Sequence, residues 1–321
     1  MSVLDRFFNG DKLALAKIIS HIENRGDELS RLLPALYSKS GDAYRIGLTG
    51  PPGVGKSTLV DKLAELYVVD SQKVRTHLGI GIIAVDPSSP FTGGALLGDR
   101  IRMQNLTKYD DIFTRSMATR GSSGGLAAST GDVAMAMDAF GMDIILIETV
   151  GVGQVELDIA DSCDTTVVVL VPESGDSVQA LKAGLMEIAD IFVVNKSDRD
   201  GADYFAVDIN IVLDIKRNNS EWNYPVVNTQ AINDVGIDEL KDAIAGHQKF
   251  LTSDENADLY RRRKIKTDLN RILDMELKAY ISEYLLTQSS LDNYIDSVLN
   301  GESNPYEITK EIIQSLNQDK S

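Results

Sequence analysis

The chain of 321 residues carries 32 Lys and Arg against 48 Asp and Glu, a formal net charge of −16, with one cysteine. That length holds one large domain plus appendages, and the acidic balance argues against nucleic acid or an anionic membrane as a partner. Cys163 alone excludes an internal disulfide and fits a reducing compartment, no apolar run approaches the roughly 18 residues of a membrane span, and the first residues mix Asp5 with Arg6 instead of forming a signal-peptide core, so a soluble cytoplasmic protein is expected.

Residues 1–40 read as a helical arm. Leu13, Leu15, Ile18, Ile19 and Ile22 recur at helical spacing, and Leu29, Leu32, Leu33 and Leu36 repeat the pattern. From 41 to 250, apolar runs rich in β-branched residues alternate with helical stretches. The runs at 45–49, 80–85, 144–147, 165–171, 191–194 and 226–227 are continuous, as strands buried on both faces must be. The expected fold class is therefore α/β, a doubly wound and mostly parallel sheet. Residues 251–321 turn helical again. Over 256–286 a stripe of Leu269, Leu273, Leu277, Tyr280 and Tyr284, flanked by Ile265 and Ile272, recurs at i+3 and i+4. A helix of that length spans about 45 Å and overhangs one nucleotide-binding core. Its apolar stripe needs a partner, either the chain's last helices or a second subunit, and a dimer is favoured. The cluster Arg261, Arg262, Arg263, Lys264 and Lys266 reads as a solvated helix face or a protein contact in preference to a nucleic-acid site.

The chemistry begins after the first strand. Gly50-Pro51-Pro52-Gly53-Val54-Gly55-Lys56-Ser57 matches the phosphate-loop pattern G-x-x-x-x-G-K-[ST] at all four fixed positions, and Thr58 continues into a helix. The glycines let backbone N–H groups and the helix N-terminus face a triphosphate. Lys56, expected to face solvent, would reach the β- and γ-phosphates, and the Ser57 hydroxyl would bind Mg²⁺. The second motif, Asn195-Lys196-Ser197-Asp198, follows the run 191–194 and so emerges on the ligand edge of the sheet. A carboxylate at Asp198 can accept from both N1–H and the 2-amino group of guanine, whereas adenine has an acceptor at N1 and no 2-amino group. GTP and GDP are therefore expected over ATP.

Two further carboxylates close strands beside the loop. Glu148 follows the run 144–147 and could hold Mg²⁺ through water, while Gly151 lets a backbone N–H approach the γ-phosphate. Asp86 ends the run 80–85, and Asp99 lies thirteen residues further on. Singly, each could be a helix cap or turn former; three at sheet ends, converging on one phosphate loop, read as functional.

The stretches Val85-Asp86-Pro87-Ser88-Ser89-Pro90 through Gly98-Asp99-Arg100, Ala118-Thr119-Arg120-Gly121, Glu148-Thr149-Val150-Gly151-Val152-Gly153-Gln154 and Asn195-Lys196-Ser197-Asp198 closely resemble the MeaB/ArgK family. The resemblance is dense over roughly residues 40–250. It implies a P-loop NTPase fold and a GTPase chaperone of an adenosylcobalamin-dependent acyl-CoA mutase, chiefly methylmalonyl-CoA mutase. It implies further that Asp86 and Asp99 lie near Mg²⁺ and the first switch, that Glu148 to Gly151 form the second switch, and that 175–182 form a third switch coupled to the mutase. A helical C-terminal extension, here 251–321, would dimerise the family. Three departures from its pattern stand out: Glu173 in Pro172-Glu173-Ser174, Ser177 in place of an acidic residue, and Gln230 in Thr229-Gln230-Ala231. The first two bear on partner coupling. The third should matter little, because that loop, with Gln230 and Ala231, reads guanine O6 mainly through backbone N–H.

No histidine among His21, His77 and His247 lies in a motif, so positioning the attacking water would fall to Gln154, a carboxylate or the partner. Two other classes share this architecture. A nickel-delivering metallochaperone would call for His-rich or Cys-x-x-Cys clusters, which one cysteine and three scattered histidines cannot supply. An ATP-driven transport accessory or kinase conflicts with Asp198.

Overall fold

Seven strands, β1 (Tyr44–Thr49), β2 (Ile80–Asp86), β3 (Ile112–Ala118), β4 (Ile144–Thr149), β5 (Thr165–Leu170), β6 (Ile191–Asn195) and β7 (Val226–Thr229), form one sheet in the order β3-β2-β4-β1-β5-β6-β7. Every pairing is parallel. The computed structural model describes residues 2–25, 28–74, 76–86, 106, 108–118, 123–149, 160–172, 184–218, 220–281 and 288–318. Residues 1–260 make one compact unit and residues 261–321 another.

Alternate strand residues feed two sides of the sheet. Ile46, Leu48, Leu146, Val167, Val169, Ile191 and Val193 pack with α4 (Lys56–Lys73) and α7 (Ile237–Leu251). On the other side, Ile83, Val85, Ile145 and Ile147 meet α1 (Val3–Phe8), α2 (Lys12–Asn24), α3 (Leu29–Tyr37) and α5 (Ser123–Phe140). Val168, Leu170, Phe192 and Val194 meet α6 (Ala202–Arg217). Strands covered on both faces have no polar side to show, which is why their sequences are unbroken apolar runs.

β3 was not among the expected strands. It is the edge strand and pairs with β2. Ile112 and Met117 are buried, but Arg115 between them reaches Glu23 and Ser20 of α2. That partner lies 92 residues away in sequence, so no local pattern could announce it. In α2, Leu15, Ile18, Ile19 and Ile22 are all fully buried or nearly so, whereas Leu13 faces outward. Asp11 caps α2 by accepting from the N–H groups of Leu13 and Ala14.

The approach to β1 is fixed by Asp138 at the end of α5. Its buried carboxylate accepts from the N–H groups of Gly41, Asp42 and Ala43 at 2.8, 3.2 and 3.1 Å, and lies 3.6 Å from the Arg45 guanidinium. Residues 261–321 comprise most of α8 (Ala257–Tyr280) together with α9 (Gln288–Leu299) and α10 (Pro305–Gln318). Among the described residues no helix is long and apolar enough to cross a membrane.

One acid is held against its preference. Burial pushes the Asp61 carboxyl of α4 up to about 6; Glu65 adds to this and Lys62 opposes it. The folded state therefore binds this proton more tightly than the unfolded chain, so stability falls as pH rises from about 4 to about 6 and stays lower above. Asp61→Asn should raise the unfolding midpoint at pH 7.5 by a few degrees, about 1 kcal/mol once solvent screening of the half-exposed group is allowed for, and leave it unchanged near pH 4. Thermal melts at both pH values check this; equal shifts at both would rule out titration as the cause.

Candidate nucleotide-binding site

β1 is the central strand, with β4 on one side and β5 on the other, and the order of chain connection reverses there. Such a point opens a crevice beyond the carboxyl ends of the strands, and the phosphate loop leaves β1 into it. Two glycines are required by the backbone. Gly50 has φ +138°, and a Cβ there would lie 2.1 Å from the Val169 carbonyl oxygen. Gly55, the N-cap of α4 at φ +98°, would place a Cβ 2.4 Å from Nδ2 of Asn195. The N-cap of α4 makes no side-chain cap hydrogen bond, and a helix N-terminus of this kind turns its first N–H groups toward an anion.

Lys56 differs from its expected exposure. It is only 5 % exposed, and Nζ donates to the carbonyls of Gly50 and Pro51 at 2.6 and 2.8 Å. The ammonium is folded back across its own loop and lines the same cleft as Pro52, Gly53 and Ser57. The Ser57 hydroxyl donates to Oε1 of Glu148 at 2.5 Å, and Glu148 is buried. One step along, the Thr149 hydroxyl donates to that of Thr49 at 3.1 Å, locking the ends of β4 and β1 together. Mg²⁺ favours hard oxygens, taking one or two carboxylates along with phosphate and water. The Ser57–Glu148 pair fits that donor set.

Asn195 ties the two nucleotide motifs together. Nδ2 donates to the Val54 carbonyl at 2.8 Å, and Oδ1 accepts from the Thr229 hydroxyl at 3.0 Å and the Ala231 N–H at 3.1 Å. Lys196 adopts a left-handed backbone, φ +56°, and its Nζ donates to the Gly53 carbonyl at 2.8 Å. The turn that follows leaves Asp198 exposed at the cleft wall. The Gln230 side chain points to Asn233, whose Nδ2 donates to Oε1 at 3.1 Å.

The resulting cleft measures about 710 Å³ and brings together Pro52, Gly53, Gly55, Lys56, Ser57, Thr58, Glu148, Asn195, Lys196, Asp198, Gln230 and Ala231. Gly50, Pro51 and Val54 belong to the same loop and are not among the residues that line the cleft. Asp86 ends β2, whose Val85 lies in register with Thr149 of β4. Asp99, Gly151, Gln154 and residues 175–182 lie outside the described residues. The sequence reading did not name Arg199, Ile232 and Asn233, which also line the cleft. Arg199 and Ile232 each directly adjoin a named motif and Asn233 lies two residues beyond one, and that proximity was the only signal.

Residues 15–284 match the protein-family model described as "Methylmalonyl Co-A mutase-associated GTPase MeaB". The chain belongs to the MeaB family. It is 42 % identical to a putative GTPase of Pyrococcus horikoshii, with 98 % of this chain and 97 % of that protein covered. It is 36 % identical to a fused isobutyryl-CoA mutase of Cupriavidus metallidurans over 76 % of this chain, matching 23 % of that longer protein. A crystal structure titled LAO/AO transport system kinase superposes with a TM-score of 0.71 at 24 % identity, covering 98 % and 96 % of the two chains. That likeness supports the P-loop NTPase fold of this MeaB-family chain.

Proposed function

We propose that this MeaB-family protein hydrolyses GTP with Mg²⁺ and serves, in the cytoplasm, as a chaperone of an adenosylcobalamin-dependent acyl-CoA mutase, gating cofactor loading, protection and reactivation. What carries the reading is the fused isobutyryl-CoA mutase, in which a segment 36 % identical to this chain shares one polypeptide with a protein named as a mutase. Methylmalonyl-CoA mutase, the enzyme in the family's description, is the first client to test.

In this reading each residue has a distinct task. Asp198 selects guanine, Asn195 holds the base loop on the phosphate loop, and α4 presents its N–H groups to the phosphates. Lys56 exchanges its two loop carbonyls for phosphate oxygens. Ser57, Glu148, Asp86 and Asp99 would hold Mg²⁺, which would supply neutralisation of the phosphate charge. Gly151 would donate to the γ-phosphate. With Gln154 as the candidate for orienting water, intrinsic turnover should be slow and completed by the partner. The exposed Leu269, Leu273 and Leu277 of α8 support a homodimer built on 251–321.

Steady-state GTP hydrolysis with and without the mutase from the same organism tests the chaperone reading. Stimulation of at least several-fold is expected, below the roughly 10³–10⁵ seen when a partner inserts a catalytic charge. Lys182→Ala should lose most of it and keep basal turnover. No stimulation, together with no effect of GTP on cobalamin loading, would leave a GTPase without this client.

A further inference from the structure

The phosphate loop, Gly50 to Ser57, is gripped at both ends by consecutive residues of β4. At its far end the Ser57 hydroxyl donates to Oε1 of Glu148 at 2.5 Å. At its near end Thr49, the last residue before the loop, accepts from the Thr149 hydroxyl at 3.1 Å. The two grips lie on opposite faces of the sheet, because side chains alternate along a strand. Leu146 and then Glu148 face the side of α4, whereas Ile145, Ile147 and then Thr149 face the side of α5.

Backbone pairing does not supply the second grip. β1 and β4 run in register from Tyr44 opposite Ile144 to Leu48 opposite Glu148, and their pairing ends there. One step further, Thr49 is paired with Val168 of β5 and Thr149 with Val85 of β2, each on its outer side. Gly50, at φ +138°, then turns the chain into the loop. Across the gap between β1 and β4 the hydroxyl bond is therefore the tie that replaces the ladder. Both threonines are 0 % exposed, so water cannot take the place of either hydroxyl, and valine would fill the same space on this aliphatic face.

We propose that Thr49 and Thr149 are positioning residues for the magnesium site: their hydroxyl pair fixes the end of β4 against the start of the phosphate loop, so that the Glu148 carboxylate stands beside Ser57 before any ion binds. The proposal rests on the Mg²⁺ reading above and adds to it the support behind the ligands. Thr49→Val, Thr149→Val and the double variant should each weaken Mg²⁺ binding at least about tenfold, the usual cost of losing a group that orients a metal ligand. Titration of Mg²⁺ into the full chain saturated with a non-hydrolysable GTP analogue measures this directly, and the Mg²⁺ concentration for half-maximal GTP turnover should rise in parallel. Stability should follow a different order. Each single variant strands one buried hydroxyl and should melt several degrees lower, whereas the double valine variant loses both hydroxyls together and should melt near the wild type. Thr49→Ser/Thr149→Ser reverses the pattern: it keeps the hydroxyl pair but removes two buried methyl groups, so it should melt lower and still hold Mg²⁺ close to the wild-type value. A double valine chain with wild-type Mg²⁺ affinity, or a double serine chain as impaired as the double valine one, would overturn the positioning role and leave the Mg²⁺ reading standing. Glu148→Gln without effect on Mg²⁺ affinity would remove that reading and the positioning role with it.

Discussion

Lys56→Ala is expected to lower GTP turnover by about 10²–10³ or more, the cost typical of removing one preorganised group that stabilises developing transition-state charge. Of the residues in the loop, Lys56 brings the full positive charge, and its Nζ already sits over the loop on the Gly50 and Pro51 carbonyls. The same contacts mean that the variant is not silent in stability. Two carbonyl oxygens lose a charged donor, and hydrogen bonds to charged groups are worth about 1.5–3 kcal/mol each before water replaces them at an open cleft. A drop of a few degrees in melting temperature is therefore expected, at about 2–4 °C per kcal/mol for a domain of this size. Circular dichroism melts alongside hydrolysis assays separate the two effects. A folded variant that turns over GTP near the wild-type rate would remove Lys56 from the mechanism.

How far the fold was legible depended on whether a signal was local. Five of the six strands read from sequence owe their clarity to double burial: Val167 to Leu170 and Ile191 to Val194 have no exposed side and so no polar residue, whereas β7, half-buried with Asn228 exposed, showed only the pair Val226 and Val227. β3 failed because its polar Arg115 is satisfied by Glu23 from the N-terminal arm, a long-range pairing. Helical spacing identified the arm, but its packing under α5 beside Ile145 and Ile147 follows only from the folded chain. At the site, the residues whose spacing is covalent were plain: Gly50 to Ser57 span one turn from strand to helix, and Asn195 to Asp198 leave a strand end. Asn195 as a tie between Val54 and Ala231 was not legible, because it joins segments 141 and 36 residues away. Nor was the burial of Lys56, whose charge suggests water while its loop supplies carbonyls.

Asp198→Asn should exchange one purine for another. Asp198 stands exposed on the cleft wall, held there by the left-handed turn at Lys196 and by the Ser197 N–H on the Thr229 carbonyl at 3.0 Å. Guanine offers two adjacent donors, N1–H and the 2-amino group, and a carboxylate has two acceptors to match. An asparagine amide keeps one acceptor and turns a donor toward a donor. Losing two charge-assisted hydrogen bonds at about 1.5–3 kcal/mol each corresponds to roughly 10²–10⁴ in affinity for GDP. Xanthine carries O2 where guanine carries the amino group, so the amide N–H gains an acceptor, and XDP should overtake GDP on the variant while losing to it on the wild type. Calorimetric titrations of both chains with GDP, XDP and ADP provide the test, with the adenine nucleotide probing the rival ATP reading directly. If the variant kept its preference for GDP, or if wild-type protein bound ADP as tightly as GDP, Asp198 would not be the residue that reads the base. The cleft would then have to recognise guanine through the 229–233 loop alone, where the Ala231 N–H is already committed to Asn195.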